Sequence, residues 1–451
     1  MAVLSSALRV LISVALAIAL RIAISDGAAA RAESAPPPAA TIPAGTVLTG
    51  ANWRRYASFM PVGMQAIFAG DHFWRMPPDV QIEIGPTIPI ALPRRYRDDT
   101  ASYAKQVTLA RVADGGYVPA GYVAGIPFPQ PDKNPALAPY EIFYDAYYHY
   151  APRVQRNFSC NYISDSYGNF TQSETADSIY SQLTHLSDVG FPQTVPDSSG
   201  YFLTKYYQQI SPEQGKYTTT LDISYADVTR LDDIYIYLPS TRRPLRMSEA
   251  SRCAPVPGGD FTYEESNNGP PSLPQKYKIS YAGARRMMVL AHADPKSFES
   301  CGSATGLPPD YFYPPDKGVL PWPRPAFGKW EMREVYVIEM TRLPAFASGY
   351  CYSRRVIYVD KETLFPWAID LYDPAGALYK FWVGFQTPLR VPDTGTALGV
   401  NGATDLLIVN FKDKHMTAAT AANPCFNTDC NAQYLDVTRY ASPEGLSKIA
   451  Q

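Results

Sequence analysis

The chain has 451 residues, with 40 Lys and Arg against 42 Asp and Glu, so its formal net charge is −2. Because nucleic-acid affinity depends on a basic surface, this balance excludes a nucleic acid from the predicted partners. Charged residues make up only 18 %, whereas there are 33 Tyr and 42 Pro. This composition favours many short strands and ordered loops over long helices.

The N-terminus has the pattern of an export signal. The apolar run Val10–Leu20 is followed by Ala30-Arg31-Ala32, which places small residues at a cleavage site. A membrane anchor is the alternative, but the run is shorter than the about 20 residues that a spanning helix needs. We therefore predict a signal peptide over residues 1–32, cleaved near Ala32 when the protein is exported.

The domain organisation that we predict after the signal is simple. Residues 33–50 contain Pro36-Pro37-Pro38 among Ala, Thr and Gly, which is typical of an extended linker. The rest of the chain shows no internal repeat and no second boundary, so residues 51–451 are expected to form one domain.

Six cysteines follow the signal, and an even number in an exported chain suggests disulfides. The only local candidate pair is Cys425 and Cys430, in Pro-Cys-Phe-Asn-Thr-Asp-Cys, and the other pairings stay open. The chain has no CxxC motif and its five histidines are scattered, so we predict no metal site. We also predict no cofactor and no catalytic residue, because no nucleophile elbow, phosphate-binding loop or dinucleotide fingerprint is present.

Three helical segments are predicted in the first third of the chain. They are a short helix over Asn52–Met60, a helix over Arg94–Leu109 and an aromatic-rich helix over Ala138–Tyr150. Between the last two, residues 121–129 contain too many prolines for an interior strand and are expected to form a loop.

Period-2 alternation dominates from Tyr217 onwards and predicts antiparallel strands with one covered face. The turns Asp360–Thr363 and Asp373–Gly376 separate successive strands at hairpin distance. The proline-rich residues 307–325 are expected to form a long irregular loop, which in compact domains is usually functional or mobile.

Two features offer candidate site residues. Aromatic residues on the strands are candidates for the walls of an apolar pocket, and ordinary core packing is the alternative. By strand alternation, Trp382 lies on the face opposite Phe381. The candidates are Tyr336, Trp367, Phe381 and Trp382. The acidic pairs Asp232-Asp233 and Glu264-Glu265 are expected to be solvated.

The three arginines in DDIYIYLPSTRRPLRMS are Arg242, Arg243 and Arg246. Our first interpretation is structural, with each arginine paired to a carboxylate such as Asp260, Glu264 or Glu265. The second interpretation is an anion clamp at the mouth of a pocket, because a guanidinium suits a phosphate or a carboxylate.

The same stretch carries a resemblance to a known family. Residues 237–248, followed by Gly258-Gly259-Asp260-Phe261-Thr262, resemble the core motif of the family catalogued as domain of unknown function 1329 (DUF1329). Further blocks resemble it in the same order, and together they span most of the mature chain. These blocks are Leu92–Tyr103, Tyr122–Pro129 and Tyr352–Lys380.

The resemblance implies a fold and a setting. The family is distantly similar to periplasmic carriers that sort outer-membrane lipoproteins, which implies an antiparallel half-barrel sheet with helices covering its concave face. Its members are exported and are often encoded beside inner-membrane exporters of the resistance-nodulation-division type, which implies such an exporter as a partner. The resemblance supplies no catalytic residues.

Together these observations predict a mainly β protein with some α-helix, built on a large antiparallel half-barrel. The expected function is non-catalytic binding or transfer of a lipid or another hydrophobic molecule in the periplasm. One alternative is an envelope interaction or scaffold protein without a pocket. Another is a hydrolase whose site the motifs do not reveal.

Overall fold

Antiparallel β-strands are the main type of regular structure in the protein. The computed structural model describes residues 41–198, 200–256, 259–265, 271–303, 306–391 and 397–449. The strands are β1 (Val47–Thr49), β2 (Gln81–Glu83), β3 (Thr108–Arg111), β4 (Tyr117–Ala120), β5 (Val154–Ser164), β6 (Phe170–Gln182), β7 (Tyr201–Ser211), β8 (Thr219–Tyr225), β9 (Asp233–Leu238), β10 (Arg243–Arg246), β11 (Tyr277–Val289), β12 (Glu331–Arg342), β13 (Arg354–Asp360), β14 (Pro366–Tyr372), β15 (Leu378–Arg390), β16 (Ala397–Asn410) and β17 (His415–Phe426). The α-helices are α1 (Val62–Ala69), α2 (Arg94–Tyr103), α3 (Ala138–Tyr147), α4 (Val437–Tyr440) and α5 (Pro443–Ile449). None of the helices in these ranges is long and apolar enough to cross a membrane.

A single 13-stranded sheet has the order β10-β9-β8-β7-β6-β5-β17-β16-β15-β14-β13-β12-β11. Strands β5 to β10 form one meander and β11 to β17 form a second, and the antiparallel pairing of β5 with β17 joins the two. The edge strands β10 and β11 do not pair with each other within the described ranges, so the sheet is open. The predicted fold class, a mainly β protein with a large antiparallel half-barrel sheet, is confirmed.

The strand order forces a long passage of the chain, because β10 and β11 are consecutive in sequence but lie at opposite edges. Residues 247–276 make this passage and are called the crossing segment here; 257–258 and 266–270 lie outside the described part. The amide of Asp260 donates to Thr417 Oγ1 in β17 at 2.8 Å. The carboxylate of Glu264 lies 3.6 Å from Arg355 in β13. The crossing segment therefore lies across one face of the sheet.

Cross-strand pairs show which side chains share that face. Trp382 in β15 is paired with Ile408 in β16, and Ile408 is paired with Thr417 in β17. Directly paired residues point to the same side of a sheet, so these three lie under the crossing segment. Phe381 points to the opposite face, where its ring lies against Gly63 of α1.

The opposite face is also covered. The amides of Val62 and Gly63, at the N-terminus of α1, donate to the carboxylate of Asp370 in β14 at 3.0 and 2.8 Å, an arrangement that a helix N-terminus favours. Farther along β15, Phe385 contacts the rings of Trp322 and Trp330 from the connection between β11 and β12. The proline-rich residues 307–325 belong to this connection, in which Trp322 is fully buried.

The C-terminal helices cover the same opposite face on the other half of the sheet. Strands β6 to β9 contribute alternate apolar residues to a cluster with Tyr440 of α4 and Leu446 of α5. The strand residues of the cluster are Ile179, Tyr206, Leu221, Ile223, Tyr225 and Tyr237.

Coverage of both faces corrects the expectation of a sheet covered on one side only. Every residue of β14 is buried, because α1 lies on one face and the crossing segment on the other.

The folded region also starts earlier in the chain than expected. Within residues 41–50, assigned to the linker by sequence, Ile42 and Leu48 are buried and β1 pairs with β2. The predicted signal peptide lies outside the described residues.

The three predicted helical segments are present, but each is shorter than predicted. Residues 53–59 form a 3-10 helix within the range predicted for the first. The helix from Arg94 is supported by the pair Arg95–Asp99, one turn apart. It ends at Tyr103 rather than at Leu109, because Leu109 belongs to β3. Strands β5 to β7 were not predicted.

Candidate functional site

A cavity lies between the crossing segment and the face of the sheet that this segment covers. Its volume is about 230 Å³. A water occupies about 30 Å³ in the liquid, so the space exceeds that of a few waters and approaches the roughly 300 Å³ of small ligand pockets. Strands β5 to β9 form one wall and β15 to β17 form the other. The crossing segment contributes Val256, Gly259, Phe261 and Tyr263.

The wall formed by β15 to β17 is mostly apolar, and Thr417 and Thr420 are its hydroxyl-bearing residues. Trp382 and Ile408 are its large side chains, and both are buried. Ala419 and Ala421 follow on β17 at a spacing of two, so they face the same side of the sheet. Because alanine is small, these positions leave room beside Trp382. Phe261 of the crossing segment adds an aromatic side chain to the lining.

The wall formed by β5 to β8 is polar. Glu174 in β6 accepts hydrogen bonds from Asn161 Nδ2 at 2.8 Å and from the Tyr207 hydroxyl at 2.6 Å. Lys205 in β7 is directly paired with Asp222 in β8, and both line the cavity. Strands β6 to β8 place their apolar residues against α4 and α5, so their polar residues face the cavity.

Burial changes the titration of these inward charges. Burial raises the pKa of Glu174, although the hydrogen bonds from Tyr207 and Asn161 oppose the rise. Burial lowers the pKa of Lys205, whereas the charges of Asp222 and Asp232 favour its ammonium form. Both shifts favour the neutral form of the side chain, as expected for charges held away from bulk water.

Helix α3 lies on the cavity side of the sheet. His149, just after the helix, contacts the ring of Phe365, which lines the cavity, with centroids 6.1 Å apart. Burial raises the pKa of Tyr147, and the charges of Asp232 and Asp222 contribute to the rise. This aromatic helix therefore covers the cavity-bearing face, whereas α1 covers the opposite one.

The crossing segment is held to β17 through Asp260. The carboxylate of Asp260 accepts hydrogen bonds from Thr417 Oγ1 at 3.0 Å and Asn410 Nδ2 at 3.1 Å, and it lies 2.6 Å from His415 Nδ1. The hydrogen bond with Asp260 raises the pKa of His415, because it stabilises the imidazolium. Lys380, in β15, also donates to the Asp260 carbonyl at 2.5 Å.

Two further carboxylates hold the segment to the sheet. Arg252 Nε lies 3.1 Å from Glu264, which also faces Arg355. Burial opposes ionisation of Glu264, but the charges of Arg355 and Arg252 bring its pKa below the usual value. Glu265 accepts a hydrogen bond from Lys380 at 3.3 Å and another from Tyr352. The cavity-lining residues of the segment are therefore flanked by buried ion pairs.

The expectation that the acidic pairs are solvated is wrong. Asp232 and Asp233 are 5 % and 6 % exposed, and Glu264 and Glu265 are 4 % and 7 % exposed. Buried carboxylates require partners, and the partners here are arginine, lysine, serine and tyrosine side chains from distant parts of the chain.

The three arginines of DDIYIYLPSTRRPLRMS lie at the β9–β10 hairpin. Arg246 Nε donates to Asp233 Oδ1 at 3.0 Å, rather than to Asp260, Glu264 or Glu265 as expected. Arg242 and Arg243 are exposed. The expected partners were wrong because those carboxylates have other partners. The carboxylate of Asp260 contacts residues of β16 and β17, whereas Glu264 and Glu265 contact Arg252 and residues between β11 and β15.

The structure separates the aromatic candidates. Among the described residues that line the cavity, Trp382 is present, whereas Tyr336, Trp367, Phe381 and the three arginines are not. Phe381 lies on the opposite face, and Trp367 Nε1 donates to Asp360 at 2.7 Å. A ligand-binding role for all seven residues stays a prediction, and the geometry favours Trp382.

Sequence reasoning missed the polar wall. Glu174 and Lys205 lie on β6 and β7, whose two faces both carry hydrogen-bonding side chains, and this hides the apolar alternation. The weak signal was the spacing of two between Lys205 and Tyr207, alternating with the buried Thr204 and Tyr206.

Three cysteine pairs lie at disulfide distance. Cys425 and Cys430, the predicted candidates, have an S–S distance of 2.08 Å. Cys253 of the crossing segment is bonded to Cys351 before β13, and Cys160 of β5 is bonded to Cys301 in the connection between β11 and β12. The Cys253–Cys351 and Cys160–Cys301 pairings join parts of the chain that are distant in sequence.

Comparison with solved structures gives distant likenesses. A DUF1329 family protein from Desulfovibrio piger ATCC 29098 is 15 % identical, with a TM-score of 0.44, covering 68 % of this chain and 99 % of its own. A domain assigned to outer membrane lipoprotein sorting, from Vibrio parahaemolyticus, is 14 % identical, with a TM-score of 0.43 and coverages of 68 % and 97 %. A LolA superfamily protein from Nitrosomonas europaea is 10 % identical, with a TM-score of 0.36 and coverages of 66 % and 97 %. No curated protein matches the chain.

The sequence itself matches the model of a protein family over most of its length. The model described as Protein of unknown function (DUF1329) matches residues 47–434. This range begins with β1 and ends just before α4, so it contains the whole 13-stranded sheet and the crossing segment. The resemblance expected from the ordered motifs is confirmed, and the chain belongs to the DUF1329 family.

Proposed function

We propose that this protein binds a lipid or a similar hydrophobic molecule in the cavity and carries it through the periplasm without changing it chemically. The observation that supports this function is the cavity of about 230 Å³, with its apolar wall around Trp382 and Ile408. Ligand sites are typically concave and mostly apolar, with a few placed polar groups. Protein interiors are otherwise close-packed, so a space of this size is more consistent with a binding site than with ordinary core packing.

The periplasmic setting rests on two features of the chain. The N-terminal sequence has the pattern of a cleaved signal, and three cysteine pairs lie at disulfide distance. Disulfides persist in oxidising compartments such as the bacterial periplasm. The family resemblance adds an inner-membrane exporter of the resistance-nodulation-division type as the partner that supplies or receives the ligand.

Organic extraction of the mature protein, purified from the periplasm, tests the carrier function. Mass spectrometry of the extract should find a lipid or another hydrophobic molecule in the wild-type protein. Ala419→Phe places a large side chain in the cavity, and it should remove most of the extracted molecule because the two compete for the same space.

The matched control is Ala282→Phe, which makes the same substitution at an exposed position of the edge strand β11. This variant should retain the ligand of the wild-type protein. A wild-type extract without any hydrophobic molecule, or equal loss from both variants, would contradict the proposed function. A thermal unfolding curve of each variant shows whether it is folded.

A further inference from the structure

The cavity presents two chemically different walls to whatever occupies it. Strands β15 to β17 contribute apolar side chains such as Trp382 and Ile408, whereas β5 to β8 contribute Glu174, Lys205 and Asp222. A purely apolar ligand would leave the polar wall without water and without new hydrogen bonds, which is unfavourable. An occupant that is apolar at one end and polar at the other matches both walls.

The charges of the polar wall limit the polar end of the ligand. Among the described residues that line the cavity, the charged ones are two carboxylates, Glu174 and Asp222, and one ammonium, Lys205. Lys205 is directly paired with Asp222, and Asp232 also acts on it. The wall therefore has no surplus positive charge with which to neutralise an anionic head group.

Charged residues near the polar wall that do not themselves line the cavity add no uncompensated positive charge to it. The carboxylate of Asp232 accepts a hydrogen bond from the Ser272 hydroxyl at 2.6 Å. The backbone carbonyl of Asp232 accepts one from Arg252 at 3.3 Å. Arg252 is itself 3.1 Å from Glu264, and the charges of Asp232 and Asp222 also act on it, so carboxylates compensate its charge. Glu264 also faces Arg342 and Arg355, neither of which is among the described residues that line the cavity. At the β17 end, the Asp260 carboxylate faces His415, and the Glu265 carboxylate faces Lys380.

The hydrogen-bonding groups of the wall suit a head group that both donates and accepts. Ser159 and Ser178 hydroxyls lie 2.9 Å apart, and Tyr207 and Asn161 converge on Glu174. An uncharged hydroxyl or amide group can both donate and accept hydrogen bonds, whereas an ionised carboxylate or phosphate can only accept them. A hydroxyl- or amide-bearing head group can join this network without displacing an ion pair.

We infer that the ligand is an uncharged amphiphile, with its apolar chain against β15 to β17 and a hydroxyl- or amide-bearing head group against β5 to β8. This inference rests on the proposed carrier function and adds the chemical class of the ligand. The same argument disfavours free fatty acids, whose carboxylate would face Glu174 and Asp222.

Calorimetric titration of the mature, lipid-stripped protein tests the inference with three probes of one chain length. They are monomyristoylglycerol, myristate and tetradecylamine, each used below its micelle concentration at about pH 8, where myristate is ionised. The uncharged monomyristoylglycerol should bind at least about tenfold more tightly than either charged probe. Glu174→Gln and Asp222→Asn should each lower the ratio of the affinities for monomyristoylglycerol and myristate several-fold, because each removes a carboxylate from the polar wall.

Glu334→Gln is the control, because this carboxylate is 60 % exposed and does not line the cavity. It should leave the ratio of affinities unchanged. Equal or tighter binding of myristate or tetradecylamine would overturn the uncharged head group while leaving the carrier function standing. Binding of none of the three probes would overturn both. The wild-type ratio decides the inference even if a cavity variant fails to fold.

Discussion

The contact between His415 and Asp260 shows at the scale of single residues how the crossing segment is held. Their side chains are 2.6 Å apart although the residues are 155 positions apart in the chain. The same carboxylate accepts from Thr417, which lines the cavity. Protonation of one histidine therefore acts on the segment that forms part of the cavity wall.

His415→Gln should make the stability of the protein less dependent on pH. In the folded state the pKa of His415 is raised above its unfolded value of about 6.5. The stabilisation is therefore complete below about pH 6.5 and is lost as the pH rises through the folded pKa. Urea unfolding should show a larger loss of unfolding free energy for this variant at about pH 5.5 than at about pH 9.

The matched control for this prediction is His72→Gln, at an exposed histidine. Its effect should be small at both pH values. A loss for His415→Gln that is the same at both pH values, or greater at the alkaline one, would show that the histidine is not stabilised as an imidazolium.

The contact of α1 with β15 matters most at the scale of secondary-structure elements. Pro61 precedes the helix and Gly70, with a φ of 70°, ends it, as is common at helix termini. Gly63 lies in the first turn, where a Cβ would be 2.3 Å from Phe381 Cγ. The absence of a side chain at this position permits the close approach of helix and strand.

Gly63→Ala should lower the unfolding free energy by about 1–3 kcal/mol, because Phe381 is fully buried and has little room to move. Helix propensity alone predicts the opposite sign, a gain of about 1 kcal/mol for Ala over Gly. The two effects can therefore be separated by urea unfolding.

The control is Gly50→Ala, since a Cβ at Gly50 meets nothing within 4 Å. This variant should be as stable as the wild-type protein or slightly more stable. A stabilising effect of Gly63→Ala would mean that the helix and the strand are less closely apposed than the structure indicates.

Disulfides connect distant regions at the scale of the whole molecule. The Cys160–Cys301 and Cys253–Cys351 pairs close loops with sequence separations of 141 and 98 residues, whereas Cys425–Cys430 closes one of 5. In the chain-entropy description a disulfide acts mainly by restricting the unfolded chain, so long loops contribute more.

Replacing Cys160 and Cys301 by alanine should therefore lower the unfolding free energy by about 5 kcal/mol, against about 2 kcal/mol for the double replacement of Cys425 and Cys430. Thermal and urea unfolding of the two double variants provide the measurement. Equal losses would indicate that local packing around the sulfur atoms, rather than loop closure, sets their contribution.

The sequence by itself determined the fold class and the family. Alternation of apolar residues and turn chemistry are local properties, so β8, β9, β12, β14 and β15 were predicted from short windows. The ordered motifs predicted the DUF1329 family, which the match over residues 47–434 confirms. The disulfide candidate Cys425–Cys430 was also within reach, because its two residues are close in the chain.

Only the tertiary structure decided which residues form the cavity. Its walls combine two meanders and the crossing segment, whose contacts join residues more than a hundred positions apart, such as Asp260 with Lys380. Alternation predicted opposite faces for Phe381 and Trp382, but not which face would bear the cavity. The strand order decides this, because placing β10 and β11 at opposite edges sends the crossing segment over the face of Trp382.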